Sequence, residues 1–175
     1  DRQSCYVLDT DEAKAAELAE RLKVQTGNPG DADIVLLAVK PQALEGVFPL
    51  MASPHALLIS VLAGVSTDAL MAHSGLAQVA RVMPNTPALV GAGTSAVFFS
   101  ADVEAAQRIL TMELFAACGE VVEIENEDQM HAITAVSGSG PAYFFYLVEL
   151  MQKAGVEMGL DEGMAHLLAK INFHG

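Results

Sequence analysis

The segment Ser137-Gly138-Ser139-Gly140-Pro141 lies between two helical patterns and has the composition of an anion-binding turn. Gly138 is expected to take the positive φ that ends the preceding helix, since residues with a Cβ resist that conformation. Ser139 is a favoured N-cap, and Pro141 suits the first turn of the next helix. Backbone N–H groups and a positive helix end would then face a carboxylate. The alternative is a helix–helix corner without a ligand.

Two other segments follow apolar runs that are predicted to be strands. The first is Ala38-Val39-Lys40-Pro41, in which the residue before proline is held extended. The second is Val61-Leu62-Ala63, where the small Ala63 and Gly64 leave room for a flat ring against the backbone. Open α/β sheets bind their ligands beyond such strand ends. The alternatives are a solvated Lys40 and an ordinary strand-to-turn transition.

Asn85 and Thr86 lie between Pro84 and Pro87, on a stiff loop after another predicted strand. Polar groups on a loop that a rigid scaffold positions often bind ligands. The alternative for Asn85 is a turn closed by its own side chain.

Composition and charge exclude several classes of function. The chain has 175 residues, of which 52% are hydrophobic, enough for one full domain and part of another. The formal net charge of −13 argues against nucleic acid or an anionic membrane as a partner. An anionic ligand would therefore need local positive groups, and Lys40, Arg81 and helix ends are the available ones. No apolar run reaches the roughly 18 residues of a membrane span, and no signal peptide is recognisable.

The two cysteines, Cys5 and Cys118, are far apart in the sequence. We expect both to be reduced and buried in a cytoplasmic protein. Neither has a nearby cysteine or histidine at metal-ligand spacing, so no metal site is predicted.

The order of apolar patterns predicts a two-part architecture. Up to residue 127, strands alternate with helices, which predicts βαβ units and a parallel sheet. Strands are predicted near 5–8, 32–39, 55–63, 78–83, 94–99 and 121–124, with helices after Asp11 and near 42–51, 67–73 and 102–117. Beyond residue 127 only helices are predicted, ending near 136, over 141–158 and from 161 onward. Residues 1–127 and 128–175 are therefore expected to be separate domains.

No G-x-G-x-x-G turn with a strand before it and a helix after it occurs in the sequence, although a dinucleotide-binding fold begins with one. The last residues also lie within a helical pattern. We therefore expect a fragment of class α/β: a Rossmann-like NAD(P)-binding domain whose first βα unit is missing, followed by the start of an all-α dimerisation domain.

Four segments in this order resemble pyrroline-5-carboxylate reductase: residues 38–41, residues 61–65, Arg81-Val82-Met83-Pro84-Asn85-Thr86-Pro87, and residues 137–143. The resemblance covers nearly the whole chain. It implies hydride transfer from NADPH or NADH to the C=N carbon of Δ1-pyrroline-5-carboxylate, giving proline. It also implies an imino-acid substrate and a homodimer or larger homo-oligomer.

The resemblance assigns residues to two groups. Cofactor contacts are expected at Asp9, Thr10, Asn28, Ala38, Val39, Lys40, Pro41, Val61, Leu62, Ala63 and Asn85. Substrate contacts are expected at Ser137, Gly138, Ser139, Gly140, Pro141 and Glu127. Asp9 departs from the small polar or basic residues common in the family at this position. An acidic residue there accepts hydrogen bonds from the ribose of NAD and repels a 2′-phosphate, which favours NADH.

Two alternative functions remain open at this point. One is a β-hydroxyacid dehydrogenase, although Lys153 lies too far along its helix to match that family's lysine well. The other is an inactive remnant that associates through the stripe Leu147, Leu150, Met151 and Ala154. His131 is expected to be structural, and no proton donor is assigned.

Overall fold

The computed structural model describes residues 4–28, 30–48, 53 and 55–172. Seven strands are assigned among these residues: β1 (Tyr6–Val7), β2 (Gln25–Thr26), β3 (Ile34–Leu37), β4 (Leu57–Ser60), β5 (Val79–Met83), β6 (Gly93–Phe99) and β7 (Gly119–Glu123). The α-helices in the same residues are α1 (Glu12–Leu22), α2 (Leu44–Val47), α3 (Thr67–Ser74), α4 (Ala105–Ala116), α5 (Gln129–Ile133), α6 (Gly140–Glu157) and α7 (Glu162–Ile171). Short 3-10 turns span Pro41–Ala43 and Thr86–Val90, and a π-helical turn spans Thr134–Gly138.

The strands form two sheets. A small sheet pairs β1 with β2, and a five-stranded sheet has the order β3-β4-β5-β6-β7. The strands β3, β4 and β5 are parallel to one another, as predicted. The expected parallel sheet has one exception, since β6 is antiparallel to β5 and parallel to β7. The connection over residues 84–92 is too short for the crossover that a parallel pair needs.

Strand burial follows position in the sheet. All four residues of β4, in the interior of the larger sheet, are buried. The strand β3 has the continuous apolar sequence typical of a parallel strand covered on both faces, but Leu36 is 53% exposed. Among the described residues β3 pairs only with β4, so it lies at an edge and is less covered.

The core has one cluster on each face of the larger sheet. The cluster with Leu58, Leu62 and Leu70 is covered by residues of α2 and α3. The cluster with Ile59, Val82 and Phe99 is covered by residues of α4. The helices therefore fix the strands from both sides, as the alternating pattern predicts.

Local signals at helix ends are confirmed in part. The Asp11 side chain accepts hydrogen bonds from the N–H groups of Ala13 and Lys14 and caps α1. The helix α4 begins at Ala105 rather than near Asp102, because Glu104 and Gln107 form a capping box. The predicted helix over 42–51 is seen as far as Val47, and its last residues lie outside the described part of the chain.

Cys5 is exposed and Cys118 is half-buried, and neither belongs to a disulfide. The expectation that both are buried is therefore wrong for Cys5, which lies beside the thinly covered two-stranded sheet. No helix in the described residues combines the length and apolar character that crossing a membrane requires.

Candidate active site

Three of the predicted segments lie at one edge of the larger sheet. Since β3, β4 and β5 are parallel and adjacent, their carboxyl ends lie together, and residues 38–41, 61–66 and 84–92 follow these ends. The first residues of β6 lie at the same edge, because β6 runs in the opposite direction. This is the edge at which open α/β sheets bind ligands.

The backbone after β3 has the extended conformation that Pro41 predicts. Lys40 has φ −70° and ψ 143° and caps the 3-10 turn, and its carbonyl oxygen accepts a hydrogen bond from Ala43 N–H at 2.8 Å. The Lys40 residue is exposed, and so are its neighbours Ala38 and Pro41, while Val39 is half-buried. Lys40 therefore places a positive charge at this sheet edge.

The segment after β4 begins in the sheet and ends in a turn. Val61 N–H donates to the Leu37 carbonyl at 3.1 Å, and Leu62 is buried. Ala63 is exposed and precedes Gly64, whose φ of +77° favours glycine. This turn presents little side chain to a neighbouring ligand, as predicted.

Asn85 connects the sheet edge to the helical part of the chain. Its Oδ1 accepts a hydrogen bond from Thr94 N–H at 2.9 Å, at the start of β6. Its Nδ2 donates to Ser137 Oγ at 3.3 Å. The structure thus brings together one residue predicted to contact cofactor and one predicted to contact substrate.

The junction around Ser137 differs from the predicted one. Ser139 has helical φ and ψ with no side-chain cap, and its N–H donates to the Thr134 carbonyl at 2.7 Å. Gly138 lies within the π-helical turn and does not have positive φ. The predictions of a helix end at Gly138 and an N-cap at Ser139 are wrong, because one wide turn continues the helix. Pro141 lies in the first turn of α6, as predicted.

The glycine at position 138 has a packing role instead. A Cβ at this position would lie 2.5 Å from Cε of Met83, the last residue of β5. Gly138 therefore allows the π-helical turn to approach the sheet edge closely. Turns of this type are frequent at functional sites.

Tyr143 also holds the junction, which its place in the motif did not reveal. Its hydroxyl donates to the Ala135 carbonyl at 3.2 Å. Pro141 has no N–H to give to the preceding turn, so the junction has fewer backbone donors than a regular helix. The Tyr143 hydroxyl adds a side-chain donor to this junction, at the Ala135 carbonyl.

Glu127 joins three parts of the protein. Its carboxylate accepts hydrogen bonds from Thr67 N–H at 2.8 Å and Thr67 Oγ1 at 2.5 Å, at the start of α3, and from Arg81 at 2.7 Å. The Arg81 side chain is only 4% exposed and that of Glu127 is 20% exposed. Arg81, which was expected to offer positive charge to a ligand, is therefore buried and paired with a carboxylate.

The pKa of Glu127 reflects two opposing effects. Burial of the carboxyl opposes ionisation, but hydrogen bonds from Thr67 and Arg81 outweigh it. The pKa therefore lies below its ordinary value, and Glu127 is ionised at neutral pH. Thr67 had no sequence signal beyond its position at the start of a helix.

The predicted adenosine-side residues lie on the two-stranded sheet. Asp9 and Thr10 follow β1 and are exposed, and Asp9 Oδ1 accepts a hydrogen bond from Asp11 N–H at 2.9 Å. Asn28 follows β2, and its Oδ1 accepts from Gly30 N–H at 2.8 Å, which forms the predicted turn. Pro29 of this turn lies outside the described residues. The cap of α1 is Asp11, so Asp9 is not used as the helix cap.

Two side chains considered for other chemistry lie elsewhere. Lys153 is exposed on α6 and pairs with Glu149 at 2.7 Å, one turn away. His131 is exposed on α5. In the ranges that the structure describes, no group of three His, Cys, Asp or Glu side chains could hold a metal ion.

Comparisons with known proteins agree with this geometry. A family model for pyrroline-5-carboxylate reductase dimerisation matches residues 127–175, and one for coenzyme F420-dependent NADP oxidoreductases matches residues 2–64. A pyrroline-5-carboxylate reductase from Haemophilus influenzae is 43% identical over 99% of this chain and 67% of its own.

Solved structures show the same relationship. A pyrroline-5-carboxylate reductase from Coxiella burnetii superposes with a TM-score of 0.83 and 33% identity, over 98% of this chain and 67% of that one. A Plasmodium falciparum pyrroline carboxylate reductase with NADP bound superposes with a TM-score of 0.73 and 30% identity. The match covers 85% of this chain and 60% of that one.

The chain spans about half to two thirds of the curated relatives that it matches, for example 67%, 52% and 64% of three of them. The curated relatives, the dimerisation family model and the two solved structures above indicate the same assignment. The chain belongs to the pyrroline-5-carboxylate reductase family.

Proposed function

We propose that the protein reduces Δ1-pyrroline-5-carboxylate to L-proline with a hydride from NAD(P)H, the last step of proline biosynthesis. The supporting observation is the hydrogen bond between Asn85 and Ser137. It joins the loop after β5, at the sheet edge where a nicotinamide would bind, to the turn whose serine hydroxyls would bind a small carboxylate. Such juxtaposition of two reactants is the main requirement of a hydride transfer.

The strand-end segments fit the nicotinamide half of a dinucleotide. Residues 38–41 and 61–63 would hold it, and a Cβ at Gly64 would meet no atom within 4 Å, so the backbone there is open to approach. Asp9, Thr10 and Asn28 would hold the adenosine half. The nicotinamide, when bound, supplies the hydride.

The residues of this chain would bind and orient the substrate. The hydroxyls of Ser137 and Ser139 lie on the half-buried turn and would donate to the carboxylate. Lys40 adds positive charge at the sheet edge, which matters in a protein with net charge −13. The family resemblance assigns Glu127 a position near the substrate. Because it accepts hydrogen bonds from Thr67 and Arg81, Glu127 would stabilise the elements around this site.

Three finer features belong to the same proposal. Asp9 would favour NADH over NADPH, because its carboxylate repels a 2′-phosphate. The apolar residues exposed on α6 and α7 would associate with a second copy of the chain, as the dimerisation family model supports. A cytoplasmic location would suit two cysteines without a disulfide.

The test is oxidation of NADH and NADPH by the longest open reading frame containing these residues, with Δ1-pyrroline-5-carboxylate as substrate. We expect turnover and formation of proline. The Ser137→Ala variant should raise the KM for this substrate. A folded wild-type protein that fails to turn over this substrate but oxidises a nicotinamide with another imine or keto acid would contradict the proposal. A folded protein with no turnover of any such substrate would favour the association-only alternative.

A further inference from the structure

The orientation of the Asn85 side-chain amide is determined by its neighbour. Thr94 N–H can only donate, so the atom 2.9 Å from it must be the amide oxygen. The amide nitrogen, which is also only a donor, is then the atom that lies 3.3 Å from Ser137 Oγ. Ser137 Oγ is therefore the acceptor in this pair.

A hydroxyl that accepts from Asn85 must place its own hydrogen elsewhere. In helices of this protein, hydroxyls usually donate to the carbonyl four residues earlier: Ser74 to Leu70, Thr111 to Gln107 and Thr134 to Met130, at 2.7–2.8 Å. Among the described residues, Ser137 makes no such bond. Ser137 lies in the π-helical turn, three residues after Thr134, which is the first residue of that turn.

From these two observations we propose that Asn85 is a positioning residue for the substrate. It holds Ser137 Oγ as an acceptor, so that the Ser137 hydroxyl hydrogen is directed to the carboxylate of the imino acid. This inference rests on the proposed function. It differs from the role as a cofactor contact that the family resemblance assigns to Asn85.

The Asn85→Asp variant tests the direction of these hydrogen bonds. One carboxylate oxygen still accepts from Thr94 N–H, but the other now accepts from Ser137, so the hydroxyl hydrogen turns away from the substrate. The variant would lose the hydrogen bond from the Ser137 hydroxyl to the charged substrate carboxylate. The binding free energy of such a bond corresponds to a rise of about 10- to 100-fold in the KM for Δ1-pyrroline-5-carboxylate. The KM for the nicotinamide cofactor should change by less than about threefold. A change of that size is no larger than the deviation that independent sites usually show.

A double-mutant cycle separates this effect from simple charge repulsion. In the Ser137→Ala background, Asn85→Asp should raise the substrate KM by no more than about threefold, because the hydroxyl through which it acts is gone. An unchanged effect in that background would overturn the proposal. So would a rise confined to the nicotinamide KM.

Two further measurements cover loss of folding and loss of activity. If Asn85→Asp does not fold, Ser137→Ala decides alone: a substrate KM equal to that of the wild type overturns the inference. If the folded wild type has no turnover, the proposed function is wrong, and calorimetric binding of L-proline to wild type and Ser137→Ala replaces the kinetics. Weaker binding by the variant supports the donor role, and equal binding or none by the wild type overturns it.

Discussion

Glu127 shows how one side chain can connect the elements around the candidate site. It fixes the first residue of α3 through Thr67 and neutralises the buried Arg81 on β5. The next strand residues lead directly to Pro84 and Asn85. Any ligand contact that Glu127 makes would be additional to these structural bonds.

Replacing Glu127 with Gln should destabilise the protein. The change leaves the buried Arg81 guanidinium without its counter-charge, and breaking a buried pair in this way typically costs about 3–5 kcal/mol. Urea unfolding of the full reading frame measures the loss. Glu123→Gln is the matched control, because its ion pair with Arg108 is more exposed and should cost less than about 1 kcal/mol. Equal losses for the two variants would contradict the structural role.

The same pair predicts a dependence of stability on pH. Because the folded-state pKa of Glu127 is lowered, its contribution is fully present above the unfolded-state pKa of about 4.3. It is lost as pH falls through the folded-state pKa. The difference in unfolding free energy between wild type and Glu127→Gln should therefore be constant from about pH 6 to 8 and shrink below about pH 4. A difference that grows on acidification would have the wrong sign.

The proposed preference for NADH depends on a single residue, Asp9. Replacing Asp9 with Ser should raise the ratio of kcat/KM for NADPH to that for NADH about tenfold, by removing one repulsive charge near a 2′-phosphate. Asp11→Ser is the control: it alters the cap of α1 but should leave this ratio unchanged. A wild type that prefers NADPH by about tenfold or more would refute the preference for NADH.

The sequence predicted candidate residues more readily than the contacts between them. Asn85 and Ser137 are both candidates on sequence grounds, from a proline-bracketed loop and from a Ser-Gly-rich turn. Their mutual hydrogen bond joins residues 52 positions apart and depends on packing that no local pattern encodes. Thr94 acts through its backbone N–H, which every residue type except proline has, so its type gave no signal. Thr67 donates both its N–H and its hydroxyl to Glu127, 60 positions away, a separation that no local pattern spans.

At the scale of elements, Gly119 determines how β7 begins. Its φ is +140°, and a Cβ there would collide with the carbonyl oxygen of Gly93, its partner in β6. The two strands approach each other at this point with backbone alone.

Replacing Gly119 with Ala should therefore cost on the order of 3 kcal/mol, from unfavourable φ and from steric overlap. Gly159→Ala is the control, since Gly159 also has positive φ, +100°, but open space around its Cβ position. That control should lose only about 1–2 kcal/mol. Thermal or urea unfolding of both variants gives the comparison, and a smaller loss for Gly119→Ala would contradict the contact.

Element types were predictable where periodicity was strong, and so was the parallel direction of β3, β4 and β5, but the direction of β6 was not. The strands β3, β4 and β5 and the helices α1 and α3 follow from apolar patterns and caps. The antiparallel direction of β6 depends on a loop too short for a crossover, a constraint visible only when the strand bounds are known. At the helix junction, the same Ser-Gly-Ser-Gly-Pro segment is compatible with a capped helix end and with a π-helical turn. The structure has the π-helical turn, in which Gly138 packs against the Met83 side chain.

At the scale of the whole molecule, exposed apolar side chains are concentrated on α6 and α7. They include Phe145, Leu147, Leu150, Leu167, Leu168 and Ile171. Contiguous exposed apolar surface of this kind is typical of an interface between subunits.

We expect the full reading frame to have at least twice the monomer mass in light scattering coupled to size exclusion. Phe145→Glu should shift it toward the monomer mass, because a charge in an apolar interface is costly. Ile109→Glu, at an apolar residue of similar exposure on α4, should leave the mass unchanged. A wild type that is monomeric at all concentrations would exclude this role for α6 and α7.

In the larger sheet each strand after β3 pairs with the strand that precedes it along the chain. During synthesis on the ribosome, each new strand of this sheet would therefore emerge next to an edge that has already formed. The unpaired backbone of that edge is covered by the following strand, which limits the time for which it could associate with other nascent chains. Pairing between sequential strands also keeps the sequence separation of sheet contacts low, a property of domains that fold quickly.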